Sequence, residues 1–103
     1  MSDTVTHAPA LNRFEIHEDS QLAGFAEYRD HGGQRIFHHT EIGEQFGGKG
    51  LATKLIRGAL TETAAAGLRI VPVCPFVAKF VDKHDDFAAE VDEVTPAVLD
   101  LLG

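Results

Sequence analysis

The sequence predicts an α/β (α+β) fold: a mixed, mostly antiparallel sheet with a β-α-β crossover and helices packed on it. Three observations predict it. Apolar and polar residues alternate through successive stretches between residues 12 and 42, the period of half-buried strands. The period then becomes helical over LATKLIRGALTETAAAG, residues 51 to 67. A short apolar run, LRIVPVC, follows at 68 to 74. A strand–helix–strand succession of this kind closes as a right-handed crossover between parallel neighbours.

Taken in order, residues 1 to 11 read as a flexible lead-in to one domain spanning 1–103. In NRFEIHED, 12 to 19, Phe14 and Ile16 oppose Glu15 and His17. In QLAGFAEYRD, 21 to 30, Leu22, Gly24, Ala26 and Tyr28 oppose Ala23, Phe25 and Glu27. HGGQ, 31 to 34, is a glycine turn and predicts a hairpin into RIFHHTEI, 35 to 42. Strict alternation there sets Ile36 and Ile42 on one side and Phe37, His39 and Glu41 on the other. The helix carries Leu51, Leu55, Ile56, Ala59, Leu60 and Ala64 on one stripe, with Gly58 a soft spot inside it. Gly67 suits its C-terminal cap. Residues 68 to 74 then read as a buried strand. PFVAKFVDKHDDFAAEV, 75 to 91, predicts a helix from Pro75, which fits a first turn. TPAVLDLLG, 95 to 103, has a Thr cap and Pro at the first helical position.

Composition excludes several function classes. The 103 residues suffice for one core and not for two. No apolar run approaches the roughly 18 to 20 residues of a membrane span, and no membrane partner is expected. MSDTVTHAPA lacks the charged start and apolar core of a signal peptide, so the expected location is cytoplasmic. A single cysteine, Cys74, rules out an intrachain disulfide and a Cys-rich zinc site. His38 and His39 are neighbours on a strand and point apart, so no metal site is expected. The net charge of -7 repels phosphate backbones and makes nucleic acid an unexpected partner. The same charge favours a cationic substrate such as an amine.

EQFGGKGLATKL, 44 to 55, sets three glycines and a lysine directly before the helix. A strand that ends in a glycine turn and opens a helix forms an anion site, because the first helical N–H groups are free and the dipole adds positive charge. A tight turn with no ligand is the plain alternative. The segment from Gly43 to Lys49 has P-loop spacing, but Gly50 stands where that motif needs Ser or Thr for magnesium. The dinucleotide fingerprint fails as well, because Thr53 stands where its third glycine belongs.

Gln45-Phe-Gly-Gly48-Lys-Gly50 fits another pattern, Q/R-x-x-G-x-G/A, and resembles the pyrophosphate loop of the GNAT superfamily of acetyl-CoA-dependent N-acetyltransferases. HHTEI at 38 to 42 and VPVCPFV at 71 to 77 strengthen the likeness to the small, single-domain GNAT-like (Gcn5-related) members. The resemblance covers roughly residues 12 to 87 and implies the minimal GNAT fold. Many relatives carry Arg where Phe46 or Gly47 stands, and Lys49 is the expected substitute cation here.

The resemblance implies acetyl-CoA as cosubstrate. Gly47, Gly48, Lys49, Gly50, Leu51 and Ala52 would cradle its pyrophosphate. Gln45 and Phe46 belong to the same loop, and the pantetheine arm would pair with the strand at Glu41, Ile42 and Gly43. It would run between the third and fourth predicted strands, where they splay. Pro72 is a separate hint of that splay, since proline cannot donate to a ladder. Cys74 and Phe76 lie where the thioester would arrive, and Lys79, with Lys83 one turn on, could reach a CoA phosphate. The catalytic candidates are Cys74, as proton donor or acetyl carrier, His39, as general base, and Glu41, as acceptor of a substrate ammonium. The implied activity is acetyl transfer to a small-molecule amine or a lysine-bearing acceptor by direct attack on the thioester. A non-catalytic CoA-binding module or partner subunit is the competing reading.

Overall fold

The computed structural model describes residues 2–48 and 50–103. Five strands form one sheet: β1 (Asp3–Ala8), β2 (Arg13–Glu18), β3 (Gln21–His31), β4 (Gln34–Ile42) and β5 (Arg69–Pro72). They lie in the order β1-β2-β3-β4-β5. The first four pair antiparallel in sequence, and β4 pairs with β5 in parallel from Gln34–Arg69 to Phe37–Pro72. Helices α1 (Leu51–Ala65), α2 (Pro75–Lys83) and α3 (Pro96–Leu102) complete the mixed α+β fold.

Local chemistry explains the joints. Asp19 and Ser20 both take positive φ between β2 and β3, as Gly32 and Gly33 do between β3 and β4. Such two-residue turns match the twist of a hairpin. Thr95 caps α3, its hydroxyl accepting from Val98 N–H at 3.2 Å.

The two sheet faces carry different cores. Under α1, Phe14, Ile16, Ala26, Tyr28 and Phe37 meet Leu55, Ile56, Ala59 and Leu60, all buried. On the other face Ile36 and Val71 meet Val98 of α3 in a smaller cluster. Tyr28 sits beneath the Arg35 guanidinium, 4.2 Å from its ring centroid, and Asp30 holds that guanidinium through two hydrogen bonds.

Three sequence expectations need correction. Residues 3 to 8 are no flexible lead-in; they form the edge strand β1. Its Thr4-Val5-Thr6 run is β-branched, Val5 packs on Gly58, and His7 stacks on Phe14 with centroids 4.3 Å apart. The helix predicted over 75 to 91 stops at Lys83, and Asp85–Glu90 form a 3-10 turn. A straight helix would carry the chain away from the sheet at about 1.5 Å per residue. Instead Val91 bridges to Ile70, and Asp92 N–H donates to Ile70 C=O at 2.8 Å. Strict alternation along β4 also fails. Tyr28 faces Phe37 but Glu27 faces His39, so His38 is the extra residue of a bulge. Phe37 therefore stays in the α1 core while His39 and Glu41 turn to the opposite face.

Two measurements check this core. Phe14→Ala removes a ring that is fully buried and should lower the unfolding free energy by about 4 kcal/mol in denaturant titrations. Tyr28 is the sole tyrosine, and there is no tryptophan. Burial pushes its phenol up, Arg35 pulls it back, and Asp30 and Glu62 add to the rise. Phenolate absorbance should then titrate above about 10, the unfolded value. Above that pH the unfolded chain ionises first, so stability present below it is lost as pH rises through the folded midpoint.

Candidate functional site

The site grows from the place where β4 and β5 part. The parallel ladder ends at Phe37–Pro72, where Pro72 has no N–H to give. One further link, Cys74 N–H to Phe37 C=O at 2.8 Å, closes the junction. Beyond it β4 runs on to Ile42 while the other chain turns into α2 at Pro75. The gap between them opens toward the glycine loop.

Hydrogen bonding along β4 decides what faces that gap. Gly43 N–H donates to Ala23 C=O at 2.8 Å, directly across the β3–β4 register. Pairs of this kind alternate, so Glu41 and His39 also turn their main-chain groups toward β3. Thr40 and Ile42 turn theirs outward, into the gap. The backbone available to an extended ligand is therefore that of Thr40 and Ile42, rather than Glu41 and Gly43.

The bulge at His38 sorts the candidate side chains onto two faces. Cys74 is buried, and its Sγ donates to Thr40 Oγ1 at 3.3 Å, on the α1 side of the sheet. His39 and Glu41 lie on the opposite face, half-exposed and exposed, with His39 Nε2 3.1 Å from Glu41 Oε1. The Phe25 ring stands 6.1 Å from the His39 ring on that face. Cys74 and the His39–Glu41 pair thus flank β4 from two sides. Thr40 is the member that sequence reasoning missed. It stood inside the HTE stretch, but roles were attached to its titratable neighbours.

The loop has the form of an anion cradle. Glu44–Phe46 make a 3-10 turn in which Gly47 N–H donates to Glu44 C=O at 3.2 Å, so that N–H is already used. Phe46 is buried as the floor. Gly48 and Gly50 have φ of 77° and 72°, and a Cβ on either would meet nothing within 4 Å. Open space thus lies above bare backbone. Gly50 caps α1 without a side-chain bond, and the first described intrahelical bond is Lys54 N–H to Gly50 C=O at 3.2 Å. The preceding helical N–H groups point out of the helix end. Leu51 is buried and Ala52 half-buried, so Leu51 offers only its main chain. Gln45 is exposed on the turn and lines neither cavity described next. Lys49 lies outside the described residues.

Two concavities continue from this cradle. The first, of about 280 Å³, is lined by Ile42, Phe46, Gly47, Gly48, Gly50, Leu51, Ala52 and Phe76. The second, of about 230 Å³, runs between α1 and α2 past Thr53, Ile56, Lys79, Phe80, Lys83 and His84. Ala52 and Phe76 wall both, so the two form one groove. Phe76 is half exposed at their junction. A wider concavity of about 410 Å³ lies elsewhere, against Leu11, Asn12, Glu27 and Arg29. It lies away from the start of α1 and the glycine loop, and Glu27 and Asp30 in its lining oppose an anion.

The cations sort in the same direction. Arg13, Arg35, Lys54, Arg57 and Arg69 pair with carboxylates, and Arg29 donates to Leu101 C=O. Among the described residues, Lys79 and Lys83 are the cations with no such partner, and both line the groove. Among the described residues there is also no cluster of His, Cys, Asp and Glu able to hold a metal, and no helix is long and apolar enough to cross a membrane.

Comparisons with known proteins point the same way. A model of the family described as GCN5-related N-acetyl-transferase matches residues 13–91. No curated protein sequence matches the chain. Among solved structures, the NMR solution structure of a GCN5-like protein from Staphylococcus aureus superposes with a TM-score of 0.67 at 19% identity, over 90% of this chain and 91% of that one. At that identity the likeness speaks for the fold.

Proposed function

The chain belongs to the GCN5-related N-acetyltransferase family, and from that premise we propose that it transfers the acetyl group of acetyl-CoA to an amine. The observation that carries the proposal is the groove that starts at the bare backbone of Gly48 and Gly50 and ends at Lys79 and Lys83. Acetyl-CoA is a polyanion, and the chain carries -7. Binding therefore needs local positive potential, which the helix start and the two unpaired lysines supply.

In this reading Gly48, Gly50 and the first N–H groups of α1 hold the pyrophosphate. The pantetheine arm lies in the gap against the outward backbone of Thr40 and Ile42, and Phe76 covers its path. The thioester then reaches the level of Cys74. The amine arrives from the opposite face, where Glu41 accepts from His39 Nε2–H and leaves Nδ1 to take the ammonium proton. The neutral amine attacks the carbonyl carbon, a C–N bond forms, and the C–S bond breaks. The nitrogen sheds a second proton as the CoA sulfur takes one up, relayed through the Cys74 thiol on that side, so CoA leaves as the thiol and Cys74 ends as it began. The acceptor is an amine, either small or borne on a lysine, and the acidic chain favours a cationic one.

Thermal unfolding with acetyl-CoA tests the site. At about 100 times its dissociation constant the ligand should add about 2.7 kcal/mol, and Tm should rise accordingly. Gly48→Asp keeps a residue that tolerates positive φ but sets a carboxylate in the cradle, so it should keep the fold and lose the shift. Replacing Lys79 and Lys83 together by Ala should weaken acetyl-CoA binding about tenfold, read by calorimetry, with a reduced salt dependence. His39→Ala should cut amine-dependent release of CoA thiol by about 100-fold or more, as loss of a general base does. Binding without any amine-dependent release would instead mark a CoA-binding module.

A further inference from the structure

The sheet ends at β1, and among the described residues nothing pairs with its outer side. Its register with β2 runs unbroken through six pairs, from Asp3–Glu18 to Ala8–Arg13. Asp19 N–H donates to Ser2 C=O at 2.9 Å, straight across that ladder. By alternation Thr4, Thr6 and Ala8 also turn their main-chain groups toward β2. Asp3, Val5 and His7 therefore present theirs outward. Natural edges of this kind carry proline, lysine or a bulge to block further pairing. β1 carries none of these.

Helix α1 runs beside this edge with a symmetric charge pattern. Lys54 Nζ stands 3.5 Å from Asp3, and Glu62 Oε1 stands 3.5 Å from His7 Nδ1. Gly58 lies midway between them in sequence, and a Cβ on it would come within 2.9 Å of Val5 Cγ1. Val5 likewise lies midway between Asp3 and His7. The edge thus has a cation at one end, an anion at the other, and Val5 under Gly58 at the centre. Both charged side chains are about half exposed, 51% for Lys54 and 53% for Glu62.

We propose that β1 pairs antiparallel with β1 of a second copy of this chain, about a two-fold axis at Val5, to form one continuous sheet. In that register Asp3 faces the partner's His7, Val5 faces the partner's Val5, and all of these residues have outward main-chain groups. Lys54 comes beside the partner's Glu62, and Glu62 beside the partner's Lys54. A parallel pairing would turn the partner's sheet over and carry its α1 to the opposite face, away from Lys54 and Glu62, so the charge pattern selects the antiparallel one. On the open face Thr4 lies opposite the partner's Thr6. The inference rests on the edge and the helix flank alone, and stands independently of the acetyltransferase reading.

Sedimentation of the full chain tests it. The expected result is a concentration-dependent rise from the 11.2 kDa chain mass to twice that value. Lys54→Glu and Glu62→Lys should each weaken the dimer, because each sets like charges across the seam. An equimolar mixture of the two should regain it, since only the mixed pair has opposite charges throughout. A second measurement reads the register with exposed positions whose change leaves the fold intact. Thr4→Cys and Thr6→Cys chains should form a disulfide when mixed and not when oxidised separately, since directly opposed residues lie about 4.5 to 5.5 Å apart. The native Cys74 is buried and stays out of that reaction. A chain that remains at 11.2 kDa at its highest soluble concentration overturns the proposal. So does a dimer indifferent to both charge variants whose mixed cysteine chains fail to cross-link.

Discussion

The early end of the β4–β5 ladder organises this molecule. Two parallel strands would ordinarily continue side by side for as long as both can exchange hydrogen bonds. Here Pro72 has no N–H, and the extra residue His38 shifts the phase of β4 just past Phe37. The single bond from Cys74 N–H to Phe37 C=O then fixes the vertex. The proposed site hangs on that vertex. The gap exposes the main chain of Thr40 and Ile42, sets the start of α2 at its rim, and aims the gap at the glycine loop. A bulge costs one ladder position, and in return it turns the side chains beyond it to new faces.

The faces produced by that shift divide the site's chemistry. On the α1 side, Thr40 accepts from the buried Cys74 thiol, and the aromatic core closes behind them. On the other side, His39 and Glu41 meet solvent beside Phe25.

Charge distribution works against the overall sign of the protein. Most cations are held by carboxylates at other places, such as Arg35 by Asp30 and Arg69 by Asp92. Asp92 is held below the usual carboxylate range by Arg69 and Gln34. Pairing of that kind neutralises a cation for long-range purposes. Among the described residues Lys79 and Lys83 are left unpaired over the groove, so its lining carries positive charge although the chain as a whole is acidic.

Strand and helix periods, the two-glycine turn before β4, the Thr95 cap and the crossover were all legible in the sequence, because each rests on contacts between near neighbours along the chain. The loop was legible for the same reason: Gly48 and Gly50 must take a backbone conformation that other residues resist. β1 was hidden because Val5 packs on Gly58, far along the chain, and His7 stacks on Phe14 only once β1 and β2 have paired. The bulge was hidden because strict alternation assumes that every residue of β4 has a partner, and a single unpaired His38 leaves no mark in composition. From that one residue follow the separation of Phe37 from His39 and Glu41, and the meeting of Thr40 with Cys74. The sequence by itself determined which residue types were present, where β2 to β5 and the starts of the helices would lie, and where the glycine loop stands. Only the tertiary structure decided which of them share a face, because facing is set by register, and register depends on the partner strand.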